Sequence, residues 1–228
     1  MVDNLDARDS VIVIDDSAHE VYAKTRRQGQ IIFEESEAHF QITNNPHKSG
    51  RGAAVRIGIG IAISTFPNMQ YLIESDADGS HTAEDILRMR NHPSKSDMLI
   101  GSRYLKESSI IGWPISRRIF SRVLNHAVPW AMQIPISDIT NGLRRYSKAA
   151  LILILANKQM NNGFIYLSEQ AMIINRGGLS IEEIPTRFVN RTSGQSSVTW
   201  REVIAAQKGI LKLLMENITW RKYGSRRD

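Results

Sequence analysis

Cysteine is absent from the 228 residues, which excludes a disulfide framework and any zinc or iron–sulfur centre built on thiolates. A metal, if one is used, must sit on oxygen or imidazole. Long apolar runs are also absent. The longest, 149–156, falls far short of the roughly 20 residues of a membrane-spanning helix. The N-terminal Met-Val-Asp-Asn-Leu-Asp lacks the basic and apolar regions of a signal peptide, so a cytoplasmic location is expected. Acidic residues are in the minority, 23 against 29 Lys and Arg, for a net charge of +6. That excess favours an anionic partner: nucleic acid, an anionic membrane surface or a phosphorylated substrate. With 42% hydrophobic and 23% charged residues, the chain has an ordinary globular composition, and one domain over 1–228 is expected. Within it, 1–10 forms a short leading segment and 200–228 an amphipathic helix with a basic tail.

The charge is unevenly spread. Between Gly101 and Ala150 stand Arg103, Lys106, Arg117, Arg118, Arg122, Arg144, Arg145 and Lys148 against only Glu107 and Asp138. Immediately before, Glu74, Asp76, Asp78, Glu84, Asp85 and Asp97 outnumber Arg88, Arg90 and Lys95. Carboxylates beside a basic patch would repel nucleic-acid phosphates, so nucleic-acid binding is not expected. A divalent metal and a phosphate ligand together reconcile the two clusters.

Val11-Ile12-Val13-Ile14, closed by Asp15-Asp16-Ser17, reads as a buried parallel strand ending in a polar loop. Phe40–Thr43 reads as a short strand, Ala53–Thr65 as a helix, Tyr71–Glu74 as a strand and Thr82–Arg90 as a helix. Met98-Leu99-Ile100 runs into Gly101-Ser102-Arg103. Ile115–Met132 is expected to be helical, with Ser116 a possible cap and Pro129 ending or kinking it. Ser168–Asn175 reads as a helix and Ile181–Val189 as one strand. Trp200–Ile218 reads as an amphipathic helix with Val203, Ile204, Gln207, Ile210, Leu211, Leu214 and Ile218 on one stripe. Strands alternating with helices predict an α/β fold with a mostly parallel sheet flanked by helices.

Two carboxylates one residue apart past a strand end, Asp76-Ala77-Asp78, suit a hard divalent cation such as Mg²⁺ or Mn²⁺, which keeps one or two protein carboxylates and completes its shell with water and phosphates. The alternative is a solvated turn in which Asp78 or Ser80 caps the next helix. Asp15 and Asp16 close another strand and can accept hydrogen bonds from a base or from ribose hydroxyls. Arg103 closes a third and can grip a phosphate with two prongs. Taken singly, each of these residues also suits a surface turn or ion pair.

The order of these motifs resembles family 2 glycosyltransferases, and within them the dolichyl- or polyprenyl-phosphate mannose synthases. The matching pieces are Val11–Ser17, Lys48–Val55, Glu74–His81, Gly101-Ser102-Arg103-Tyr104, Gly112–Arg118, Asp138–Arg144 and Phe188–Ser196. The resemblance implies a GT-A (Rossmann-like) fold and a metal-dependent, inverting transfer of a hexose, mannose from GDP-mannose, to a polyprenyl phosphate at the membrane surface. It implies that Asp15 and Asp16 contact the nucleoside, that Asp76 and Asp78 organise Mg²⁺ or Mn²⁺ with the donor diphosphate, and that Arg103 holds phosphate. Arg191 would close over the donor diphosphate and acceptor phosphate, and Thr140 and Asn141 would lie near the sugar. It also implies a strand ahead of Val11, where only Met1–Ser10 stand, so a sheet without its first strand is expected. Ser197 stands where the group commonly has lysine. A UDP-glucose-type transferase with another acceptor, and a remnant acting as a binding module, are the alternatives.

Overall fold

The computed structural model describes residues 4–45, 50–163, 165–190 and 209–219. The chain divides into two compact units, Met1–Gln70 and Tyr71–Asp228.

In the first unit, β1 (Ser10–Asp15), α1 (His19–Phe33), β2 (His39–Asn44) and α2 (Arg51–Thr65) follow one another. The β-branched run of β1 pairs in parallel with β2, from Ser10↔His39 to Asp15↔Asn44. A parallel pair needs a crossover, and α1 supplies it. Phe33 stacks on Phe40 at 4.6 Å between centroids, fixing the return of the chain into β2. Gly50 precedes α2 with φ of 90°, a conformation that favours glycine.

The second unit contains β3 (Tyr71–Glu74), α3 (Ala83–Asn91), β4 (Met98–Ser102), β5 (Ser109–Ile111), α4 (Ile115–Met132), β6 (Arg144–Ser147), α5 (Lys148–Ala156), α6 (Tyr166–Arg176), β7 (Ile181–Pro185) and β8 (Arg187–Val189). A last helix, α7, covers 209–219. The main sheet has the order β3-β6-β4-β7, and β5 pairs with β8. Pairing is parallel in β1–β2, β4–β7 and β5–β8, whereas β6 runs antiparallel to both of its neighbours. All five residues of β4 are buried. Leu99 packs with Met89, Leu143 and Ile184, and Ile73 and Ile86 close the cluster.

Several sequence expectations need correction. Pro129 does not end α4, which continues through it to Met132. Gln133 terminates that helix in the left-handed conformation, its N–H reaching Pro129 O and Trp130 O. The residue at the N-cap is Pro114 rather than Ser116. The span Ile181–Val189 is two strands, β7 and β8, that join different sheets. In α7 the buried residues are Gly209, Leu213 and Asn217, while Leu211 and Ile218, expected to share an inward stripe, are exposed. Residues 200–208 of the expected long helix lie outside the described residues.

Arg144 and Arg145, counted above as part of a basic patch, are fully buried in β6. Arg144 donates to Asn141 O at 2.9 Å, Leu167 O at 2.7 Å and Ile139 O at 2.7 Å. Arg145 donates to Met89 O, His92 O and Ser94 O, and lies over the Tyr71 ring at 4.2 Å. Both hold helix and loop ends to the sheet, so neither adds charge to the surface.

Candidate functional site

In the second unit the chain leaves β3 at Glu74 and enters the loop Ser75–His81. Glu74 is buried and accepts from the hydroxyls of Tyr146, at 3.1 Å, and Tyr166. Burial, and then the Glu74 carboxylate, push the Tyr146 phenol above its ordinary pKa, so it stays a protonated donor. The loop tightens where Ser80 N donates to Asp78 Oδ1 at 3.0 Å, with Gly79 at φ of 76°. Val189 N donates to Ser80 O at 3.1 Å, and an isolated bridge joins His81 to Phe188. Thr82 then caps α3 by accepting from Asp85 N at 3.1 Å, so Thr82 rather than Asp78 or Ser80 occupies the cap.

Asp76 is partly exposed and Asp78 exposed. Asp76 Oδ2 lies 3.5 Å from His81 Nε2, and the His81 side chain is wholly buried. Both ring nitrogens of His81 and the Oγ of Ser80 are buried without a hydrogen-bond partner. The side-chain oxygens of this loop are therefore two carboxylates and the hydroxyls of Ser75 and Ser80. Among the described residues no group of three His, Cys, Asp or Glu side chains is placed to hold a metal. Such a donor set fits a hard cation that retains water and takes phosphate oxygens, and does not fit one that needs a closed protein cage.

From the end of β4, Arg103 runs into a buried ion pair. Its Nε donates to Asp138 Oδ2 at 2.7 Å, its Nη2 to Asp138 Oδ1 at 2.8 Å and its backbone N to Asp138 Oδ2 at 3.0 Å. Nη2 also reaches Thr140 Oγ1 at 2.7 Å. Burial alone lowers the guanidinium pKa, but Asp138, with Tyr104 and Asp76 behind it, holds it above the ordinary value. Three rings surround the charge: Trp113 at 5.1 Å, Phe188 at 5.4 Å and Tyr104 at 5.7 Å. Arg117 lies over the Trp113 ring at 4.1 Å. Phe188 in turn meets His81 edge to face at 5.6 Å, so the carboxylate loop and the arginine cluster share one aromatic partition.

The loop 137–141 is held from β7. Glu183 accepts from Ser137 N at 2.7 Å and Asp138 N at 2.8 Å. Asp138 also accepts from Asn141 N at 3.1 Å. Asn141 is buried, with its side-chain amide on Gly101 O, and Asn125 joins Thr140 at 2.9 Å. Thr140 and Asn141 thus direct their polar groups into the support of Arg103. Beside Arg103 a cleft of about 430 Å³ is lined by Lys106, Ser108, Ile110, Arg118, Ile119 and Arg122 among others.

In the first unit, Asp15 closes the turn after β1 by accepting from Ser17 N at 2.8 Å, and Asp16 is exposed at the same strand end. Arg191 and Ser197 lie outside the described residues. Sequence reading did not single out Asp138, His81 or Glu183. Asp138 was within reach of it, being the one acidic residue among the apolar and small residues ahead of Arg144. His81 and Glu183 carry no such signal, because their contacts are made by residues remote in sequence.

No family model matches the chain. It is 28% identical over 159 residues to a polyprenol monophosphomannose synthase of Mycolicibacterium smegmatis, covering 69% of this chain and 59% of that protein. It is also 28% identical over 192 residues to an undecaprenyl-phosphate mannosyltransferase of Micrococcus luteus, covering 83% of this chain and 75% of that one. The match with the first relative thus spans about three fifths of its length. Among solved structures, the glucosyl-3-phosphoglycerate synthase of Mycobacterium tuberculosis in complex with UDP aligns over 95% of this chain and 84% of its own, with a TM-score of 0.56 and 10% identity. The same enzyme with phosphoglyceric acid gives a TM-score of 0.51 at 13% identity, covering 92% of this chain and 69% of that one. In sequence the chain is a homologue of polyprenyl-phosphate mannosyltransferases, similar to family 2 glycosyltransferases, and it is built on the GT-A fold.

Proposed function

We propose that the chain is a hexosyltransferase that moves mannose from GDP-mannose to a polyprenyl phosphate while bound at the membrane surface. The observation that carries this reading is the placing of a carboxylate loop, Asp76 to Asp78, across an aromatic partition from the buried Arg103–Asp138 pair and a cationic cleft. The likeness to two polyprenyl-phosphate mannosyltransferases supports it. Two anions must meet in such a reaction, and the second unit offers one environment for each.

In this reading Asp76 and Asp78, helped by Ser80 Oγ, would hold Mg²⁺ or Mn²⁺. Such an ion offsets the negative charge of a diphosphate leaving group. The acceptor phosphate needs no strong general base, because it is already anionic at neutral pH. Its oxygen attacks the anomeric carbon as the bond to the donor diphosphate breaks, inverting that centre, and the main task is to position the reactants. Arg118, Arg122 and Lys106 would receive the acceptor phosphate in the cleft. Asp138 accepts from two of the three guanidinium nitrogens of Arg103, and among the described residues no hydrogen bond from Nη1 is found. That nitrogen is assigned to phosphate. Asp15 and Asp16 would contact the nucleoside, Thr140 and Asn141 would act near the sugar through Arg103, and Arg191 would close over the donor diphosphate and acceptor phosphate.

Thermal unfolding with GDP-mannose or UDP-glucose, each with Mn²⁺ and with EDTA, tests the donor site. A ligand at about 100 times its Kd adds about 2.7 kcal/mol, which raises the midpoint by roughly 5–10 °C. A Mn²⁺-dependent rise with GDP-mannose, followed by formation of a mannosyl lipid phosphate, is expected. A rise with UDP-glucose alone would replace the donor, and no rise with either would overturn the reading.

A further inference from the structure

Helix α4 is built the wrong way round for a helix that only packs on its own domain. Its inward residues are Asn125, Val128, Pro129 and Met132. Its outward residues include Ile115, 75% exposed, Ile119, 59%, Phe120, 63%, Val123, 61%, and Trp130, 79%. At about 100° per residue these five fall within an arc of about 140°, opposite the buried side. Ser116, His126 and Ala127 complete that arc, which holds no Asp, Glu, Lys or Arg. Arg118 and Arg122 border it on one side and Arg117 on the other, and α4 contains no Asp or Glu. Isolated exposed apolar side chains need no explanation, but a continuous arc of five large ones edged by arginines does.

We infer that this arc is the surface by which the chain lies on an anionic lipid bilayer, its apolar side chains reaching the acyl boundary and its arginines meeting headgroup phosphates. Charge chooses the occupant. An apolar stripe edged only by cations matches a sheet of anionic headgroups over hydrocarbon. A second copy would set the same arginines against each other. Continuity with the cleft supports the same choice, because Arg118, Ile119 and Arg122 belong both to α4 and to the cleft wall beside Arg103. A lipid phosphate seated there would have its chain leave along Ile119 toward the bilayer. Among the described residues no helix is long and apolar enough to cross a membrane. The inference deepens the proposal of a membrane-surface transferase and rests on its peripheral location, but not on turnover.

The absence of cysteine makes the test direct. Single variants Phe120→Cys, Val123→Cys, Met215→Cys and Ile152→Cys, each at an exposed position, are labelled with an environment-sensitive fluorophore. They are then mixed with neutral vesicles and with vesicles containing about 30% phosphatidylglycerol. Labels at 120 and 123 should shift to the blue with anionic vesicles only, and the label at 152 should not. In the unlabelled chain, Phe120→Ser with Val123→Ser should weaken vesicle co-sedimentation at least about tenfold, with the GDP-induced thermal shift unchanged. Vesicle binding with a shift at 215 but none at 120 or 123 would overturn the inference and leave the peripheral reading intact. A shift at 120 that needs no lipid and tracks a doubling of mass in light scattering would overturn it in favour of a second copy. Vesicle docking through 120 and 123 without mannosyl transfer to a lipid phosphate would uphold it while the proposed function fell.

Discussion

Asp138 is completely buried and accepts four hydrogen bonds of 3.1 Å or less, three of them from Arg103. Replacing it with alanine leaves a guanidinium in the protein interior with no counter-charge, which costs about 3–5 kcal/mol. For a unit of this size each kcal/mol moves the melting midpoint by about 2–4 °C, so a fall of roughly 10 °C is expected. All four tryptophans, at 113, 130, 200 and 220, lie in the second unit. Tryptophan fluorescence therefore follows the unit that contains the pair. The double variant Arg103→Met with Asp138→Leu removes both charges and should recover most of the lost stability. Mannosyl transfer should stay lost in the double variant, because the proposed function also assigns Arg103 to phosphate. An Asp138→Ala midpoint within about 2 °C of the parent, or a double variant no more stable than the single, would refute the assignment of Asp138 as the counter-ion that allows a buried cation here.

Asp78→Ala should abolish the Mn²⁺-dependent part of the donor-induced thermal shift while leaving the ligand-free midpoint within about 2 °C, since Asp78 is exposed. His81→Ala removes a buried ring set between Asp76 and Phe188. A loss of about 2–3 kcal/mol in stability is expected, together with weaker binding of GDP with Mn²⁺ in calorimetry. Asp97 accepts from Ser147 Oγ at 2.8 Å, Ser180 N at 3.0 Å and Ser180 Oγ at 2.9 Å. Burial works against its charge, but these bonds prevail and hold its pKa below the ordinary 3.8. Its contribution is therefore complete above that value and is lost as pH falls through the lower folded-state pKa. Asp97→Asn should flatten the acid limb of the stability profile, as followed by denaturant titration.

Much of the scaffold can be read from apolar runs that end in polar ones. The strands at Val11, Phe40, Tyr71 and Met98 and the helices at Ala53 and Ile115 stand within a few residues of where periodicity puts them. β6 escaped that reading because Arg144-Arg145-Tyr146 looks like a surface segment. Main-chain carbonyls remote or unremarkable in sequence, those of Met89, Ile139 and Leu167 among them, make two buried arginines tolerable. The same limit applies to the site. The Asp-x-Asp pair, Arg103 and the Asp138–Arg144 motif are visible as strings. That Arg103 is held by Asp138, and Asp138 in turn by Glu183, depends on side chains 35 and 45 residues apart. The outward face of α4 was hidden for a different reason. An amphipathic pattern shows that a helix has an apolar side, but not whether the protein or something else covers it.

The register Glu74↔Arg144 has a consequence in time. The strand that delivers the chain to Asp76 and Asp78 has β6 as its neighbour in the main sheet, and β6 lies 70 residues further along. At ribosomal rates of about 5–20 residues per second, that interval is roughly 4–14 s. During it a nascent chain carries its carboxylates on an unsupported strand edge, with the buried positions of β4 open to solvent. Pairing over such a sequence distance is also slow to nucleate once the residues exist. The residues of α4 emerge inside the same window. A newly made chain therefore offers the apolar and basic residues of α4 before it has a sheet to pack them on, and contact with a bilayer during synthesis would act on a partly folded molecule.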